Sequence, residues 1–191
     1  MTQSAAKLTR LQFAVLRYFS EQPGHLFAIV DSAHGSQVMT LLKKGDVEST
    51  CLYEGKSAET LANYAPYLVI LSRGCNLMTD LVHAGWQKAW ATYYVSSLSL
   101  ADLRTHFRRF LLVEDPNGKQ CYFRFYDPRV LRTFLPTLDG DEVRNFFGPV
   151  QFMVMEAERP ENLLRFRPGT GKAECEAISL HTADLPREGA L

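Results

Sequence analysis

The chain has 191 residues, 46% of them hydrophobic, and its 21 basic side chains balance 21 acidic ones. That length and apolar content suffice for one buried core, with or without a tail, and the charge balance argues against bulk coating of nucleic acid. No run of ~18 or more apolar residues occurs, so no membrane-spanning helix is expected.

The N-terminal stretch repeats Leu8, Leu11, Val15 and Phe19 at helical spacing until Pro23-Gly24 stops it. Lys7, Arg10 and Arg17 interrupt any signal-like apolar run, and four scattered cysteines with no disulfide framework make a reducing cytoplasm the simplest setting. A short apolar strand is predicted over 26–30, ending at Asp31-Ser32, and a helix over 36–44, stopped by Gly45. Residues 49–53 read as a weaker strand, 57–63 as a helix opened by Ser57, 67–71 as a buried strand and 77–83 as a helix. Residues 90–95 (WATYYV) have the aromatic and β-branched content of a strand. Ser99 and Asp102 resemble a capping box at the head of a helix over 100–109.

The most specific stretch follows. Pro116-Asn117-Gly118 has the chemistry of a three-residue hairpin loop, with Gly taking the left-handed position. That loop pairs Asp115 with Lys119 and sets Val113 opposite Cys121, Leu111 opposite Phe123 and Arg109 opposite Phe125. Alternation then places Cys121, Phe123 and Phe125 on one face and Tyr122, Arg124 and Tyr126 on the other. Both faces carry apolar residues, so the hairpin, over 110–127, is expected at the middle of a sheet. Asp127-Pro128 ends it: Asp is a favoured N-cap and Pro a favoured first helical residue. Arg124, Tyr126, Asp127, Arg129 and Arg132 crowd this corner, either as a structural Arg124–Asp127 ion pair or as a protein-contact surface.

A further short helix begins at Asp139-Gly140-Asp141, and 150–155 reads as a last strand. Beyond Ala157, Pro160, Pro168, Gly169, Gly171 and Pro186 mark a polar, irregular tail. The chain is therefore read as an α/β fold: one domain with a mixed sheet, a central hairpin, helices packed around it and a short C-terminal tail. Its divisions are an N-terminal helix within 1–25, a main domain over 26–156 and the tail over 157–191.

Several short pieces carry a resemblance: LFAIVDSA at 26–33, LYEG at 52–55, APYLVIL at 65–71, SLADLRTHFRRFLLV at 99–113, FRFYDPRVL at 123–131, LPTL at 135–138 and FFGPV at 146–150. In that order the chain resembles the type VI secretion effector adaptor family, whose shared region is domain of unknown function 4123. The resemblance implies a cytoplasmic adaptor or chaperone and not an enzyme. Its partners would be one cognate secreted effector and the VgrG spike, with no nucleic acid and no membrane. The family's Asp-Gly-Ala after the first strand reads Asp31-Ser32-Ala33 here, and the longer second lobe of many members is reduced to the tail.

Other chemistries have weaker footing. Asp31, Ser32 and His34 stand at a strand end like a small hydrolase site, but Val-Asp-Ser-Ala-His is not a nucleophile elbow, and Asp31 or Ser32 equally suits a helix N-cap. His25, His34, His83, His106 and His181 form no ligand pair at i, i+3 or i, i+4. Cys51, Cys75, Cys121 and Cys175 are widely scattered, a poor spacing for zinc or a disulfide scaffold. No metal or cofactor is expected. Six arginines and Lys119 between Arg104 and Arg132, interleaved with aromatics, leave nucleic-acid binding as a further alternative.

Overall fold

Apolar runs buried on both faces and amphipathic helices between them build a three-layer stack. A computed structural model describes residues 8–45 and 47–180; Lys7, with the rest of 1–7, and His181 and Pro186, with the rest of 181–191, lie outside the described residues. The strands are β1 (His25–Asp31), β2 (Ser49–Cys51), β3 (Pro66–Leu71), β4 (Ala91–Ser96), β5 (Leu112–Glu114), β6 (Gln120–Tyr122), β7 (Val150–Glu156), β8 (Asn162–Pro168) and β9 (Ala173–Ser179). The helices are α1 (Arg10–Ser20), α2 (Ser36–Lys44), α3 (Gly55–Thr60), α4 (Asn76–Gly85), α5 (Leu100–Arg108), α6 (Pro128–Phe134) and α7 (Gly140–Phe147).

Seven strands form one sheet in the order β2-β3-β1-β4-β7-β8-β9. Side-chain alternation divides β1 between two cores. Phe27 and Ile29 join Tyr94, Met153 and the apolar faces of α5 and α7, while Leu26, Ala28 and Val30 meet α1, α2 and α4. Local chemistry sets the helix starts. Thr9 and Gln12 form a reciprocal capping box on α1, Ser99 accepts from the Asp102 N–H on α5, and Asp139 with Glu142 boxes α7.

The α/β domain is as expected, but three details differ. Each strand pairing in the sheet is antiparallel, not mixed. Continuous apolar strands usually signal a parallel sheet covered on both faces; here helices cover both faces of an antiparallel one. The hairpin β5–β6 is not the centre of this sheet but a separate two-stranded ribbon, with most of its residues exposed. Its register is the expected one, Val113 opposite Cys121, and the Phe123 N–H donates to the Leu111 carbonyl at 2.8 Å. Asp115 acts through its carboxylate on the backbone, accepting from the N–H groups of Asn117 and Lys119, both at 2.9 Å.

The third difference lies in the region read as an irregular tail. Residues 162–168 and 173–179 form a hairpin that extends the sheet by two strands. Its signal was charge complementarity: Arg165 faces Glu176 at 2.6 Å and Arg167 faces Glu174 at 2.9 Å.

The FFGPV piece has a packing reason. Gly148 has φ +48°, and a Cβ there would lie 2.5 Å from the His106 ring. That ring is buried: Nε2 donates to the Phe146 carbonyl at 2.9 Å, and Nδ1 accepts from Arg109 at 2.9 Å. Burial holds the imidazole below its ordinary pKa, in keeping with a neutral ring. Gly148→Ala is expected to destabilise the fold by about 1–3 kcal/mol through overpacking and left-handed strain, read as a lower urea midpoint.

Candidate functional site

The corner singled out in the sequence gathers around two carboxylates withdrawn from water. Asp31, at the end of central strand β1, is 1% exposed, and Asp127, at the head of α6, is 3% exposed. Asp31 Oδ1 accepts from the Ala33 N–H at 3.0 Å, capping a 3-10 turn over Ser32–His34, so its capping role holds for that turn and not for α2. Asp31 Oδ2 receives the Arg124 guanidinium in a charge-assisted hydrogen bond. Arg124 Nη2 lies 3.8 Å from Asp127 Oδ2. The Arg124–Asp127 pair foreseen from the sequence therefore exists only as the longer contact, and the closer partner of Arg124 is 93 residues away in sequence. No local pattern signals a pairing at that separation.

Asp127 is the N-cap of α6 with Pro128 at its first position. Oδ1 accepts from the Arg129 N–H at 2.9 Å and from its Nε at 3.0 Å, and Oδ2 accepts from its Nη2 at 2.7 Å. Burial pushes the Asp127 carboxyl up. The Arg129 hydrogen bonds, with the charges of Arg129 and Arg124, outweigh that and leave it below its ordinary value.

The chain leading into this corner does not alternate as a strand. β6 ends at Tyr122, and the Asp127 N–H bonds back to the Arg124 carbonyl at 3.0 Å, so 124–127 is a turn. Phe125 and Tyr126 are consequently both buried. Phe125 stacks with Phe107 at 5.7 Å and meets Phe146 edge-on at 5.8 Å. The Tyr126 carbonyl accepts from the Thr92 hydroxyl at 2.8 Å, tying the turn to β4. Tyr126 shares a side-chain hydrogen bond with Tyr53; burial first, then Tyr53 and Asp31, push its phenol above the ordinary value.

Arg132 donates to the Glu156 carbonyl at 3.0 Å. The buried Glu156 carboxylate accepts from the N–H groups of Gln87 at 2.6 Å and Ala89 at 2.8 Å, holding a loop in which both residues are left-handed, φ 66° and 57°. Burial raises the Glu156 pKa, partly offset by those two hydrogen bonds. Arg129, Arg132 and Glu156 share the wall of a cavity of about 260 Å³ with Lys88. Glu54 of the LYEG piece pairs with Arg104 and Arg108. Each of the six arginines between 104 and 132 thus has a partner within the fold.

Two of the residues considered for hydrolysis, Asp31 and Ser32, have other uses. Ser32 is fully buried, and its hydroxyl donates to the Ala65 carbonyl at 2.7 Å. His34 Nε2 lies 3.9 Å from Asp31 Oδ2, the oxygen that binds Arg124. Among the described residues no group of three or more His, Cys, Asp or Glu side chains is arranged around a metal position, and no helix is long and apolar enough to cross a membrane.

Next to this buried corner lies open apolar surface. Leu112 and Tyr122 are cross-strand partners, 49% and 43% exposed. The Tyr122 ring packs 4.6 Å from that of Tyr53, and its hydroxyl donates to Ser57 on α3 at 2.9 Å. Leu61 and Tyr64, exposed, follow α3.

Asp127→Ala removes an N-cap and the bidentate partner of Arg129, and is expected to cost about 1–3 kcal/mol in urea denaturation. Because the native Asp127 pKa is depressed, its contribution is fully present above the unfolded value of about 3.8 and is lost as pH falls through the lower native value. Asp127→Asn should flatten the acid limb of the stability profile in that window.

No curated protein and no solved structure matches the chain. The model of the family described as Domain of unknown function (DUF4123) matches residues 26–145, a span that contains all of β1 but His25, the Asp31–Arg124–Asp127 corner and the exposed hairpin, and the chain belongs to that family.

Proposed function

We propose that this protein is a cytoplasmic adaptor that binds one secreted type VI effector and helps load it onto the VgrG spike, without a catalytic step of its own. The observation that carries the reading is the exposed ribbon β5–β6. A two-stranded hairpin is marginal by itself, yet this one is anchored at its base by buried aromatics while Leu112, Val113 and Tyr122 remain open to solvent. Exposed apolar surface beside half-exposed arginines suits a protein contact, since aromatic and Arg side chains provide interface anchors. Arg124 and Arg129 keep 43% and 58% of their side chains exposed while their charges are already paired. That pairing favours protein over nucleic acid, whose phosphates need uncompensated cations. The buried, hydrogen-bonded Ser32 hydroxyl favours binding over hydrolysis.

An adaptor that releases its client needs a moderate interface and stabilises the client by mass action. Co-expression with each protein encoded beside this gene, followed by size-exclusion chromatography, is expected to yield a stoichiometric complex. Deleting the gene should abolish delivery of that one effector while other effectors are still secreted. Failure of every neighbouring product to co-elute at micromolar concentration would overturn the reading. Ser32→Ala and His34→Ala should retain effector delivery; loss of delivery by either variant, with an unchanged urea midpoint, would point to chemistry at that turn.

A further inference from the structure

We propose that the outer edge of β9 is a strand-docking site, to which an extended segment of the bound partner protein adds as an eighth strand of the sheet. The proposal rests on the adaptor reading for the identity of the partner, but its geometry is independent of the exposed ribbon.

The backbone register defines what this edge presents. Flanking the β8–β9 ladder, the Gly169 N–H donates to the Lys172 carbonyl at 3.1 Å and the Leu180 N–H to the Glu161 carbonyl at 2.8 Å. Antiparallel pairs alternate between those that exchange hydrogen bonds and those that do not. Continuing the alternation along the register turns the backbone groups of Glu174, Glu176 and Ile178 inward to β8. The N–H and C=O groups of Ala173, Cys175, Ala177 and Ser179 then point outward, and among the described residues none of them has a hydrogen-bond partner.

Native sheets blunt such edges with Pro, Lys, bulges or very short strands. The opposite edge, β2, is only three residues long. β9 has seven residues, pairs without a bulge and contains neither Pro nor Lys. Its two charges, Glu174 and Glu176, are paired with Arg167 and Arg165. The side chains on its outward-bonding positions are small, and Cys175 and Ala177 are exposed, so a second backbone can approach to hydrogen-bonding distance.

The same edge borders a cavity of about 550 Å³ lined by apolar Pro136, Phe166, Ala173 and Cys175 and by charged Arg167, Lys172, Glu174 and Glu176. Alternate side chains of an added strand would enter it against Pro136, Phe166 and Ala173, which favours apolar residues at those positions. Lys172 has no ionic partner among the described residues and favours an acidic residue at the neighbouring end of the segment. Main-chain pairing with alternate side chains in a pocket is the recognition mode of strand addition.

Proline at position 177 or 175 separates this role from folding, because it deletes an outward N–H and leaves the β8–β9 ladder intact. The probe is the neighbouring-gene product that co-elutes with the wild-type chain. Ala177→Pro and Cys175→Pro are expected to weaken that complex at least tenfold by titration calorimetry, while Ala177→Ser binds as wild type. Amide-resolved hydrogen exchange on the wild-type complex serves in place of any proline variant that melts early. It should slow at Cys175 and Ala177 at least tenfold on binding. Unchanged affinity in well-folded proline variants, or unchanged exchange at those amides in the complex, overturns the edge proposal and leaves the adaptor reading standing. Protection of the same amides in the isolated protein overturns it too: in a monomer the edge would already be covered, and in a dimer the occupant would be a second copy. Absence of any wild-type complex overturns the adaptor reading, and this proposal with it.

Discussion

The contact on which the corner depends is the grip of a buried carboxylate on a half-exposed arginine. Asp31 closes β1, the strand between β3 and β4 near the middle of the sheet, and Arg124 belongs to a segment that has just left the hairpin. A carboxylate that is 1% exposed would be costly if unpaired. Its pairing therefore stations the whole 123–128 segment over the end of β1. The Tyr126 carbonyl meets Thr92, Asp127 caps α6, and Phe125 enters the aromatic cluster of Phe107, Phe110 and Phe146.

That arrangement explains how a small ribbon remains ordered while most of it faces solvent. The loop is closed by Asp115, whose carboxylate serves two backbone N–H groups. At the other end, Phe123 packs against Phe134 at 4.9 Å, and Tyr122 lies against Tyr53. Anchored by its base, the ribbon keeps Leu112 and Val113 outward without collapsing them into the core. In the proposed adaptor, a surface held this way binds with little ordering cost in its own backbone, which favours a readily reversible complex.

The ribbon and the β9 edge offer a partner different physics. The first presents side chains, an aliphatic and aromatic patch beside paired arginines. The second presents main-chain donors and acceptors in strand register. One client engaging both would combine them through effective concentration, so each contact can be modest and the assembly still selective.

Much of this was written locally. The apolar period at Leu11, Val15 and Phe19, the boundary at 36–44 and the Asp127-Pro128 start of α6 follow from propensity and capping over a few residues. The register of β5–β6 follows from one turn. Tertiary structure decided whatever depends on distant partners. Buried strands read alike in parallel and antiparallel sheets, because burial on both faces, not direction, sets their composition. The alternation expected through Phe125 and Tyr126 failed because the Asp31–Arg124 and Asp127–Arg124 contacts bend the chain there, and Asp31 is contributed by a strand 93 residues earlier. Glu156, too, found its role only when the fold brought the left-handed N–H groups of Gln87 and Ala89 onto its carboxylate. The sequence by itself determined most of the elements as far as β7, several of their caps and the turn, because those energies are settled within a few residues. The fold alone determined which carboxylate holds Arg124, which aromatics are covered and which edge stays open, because those energies belong to groups that meet only after the chain has packed.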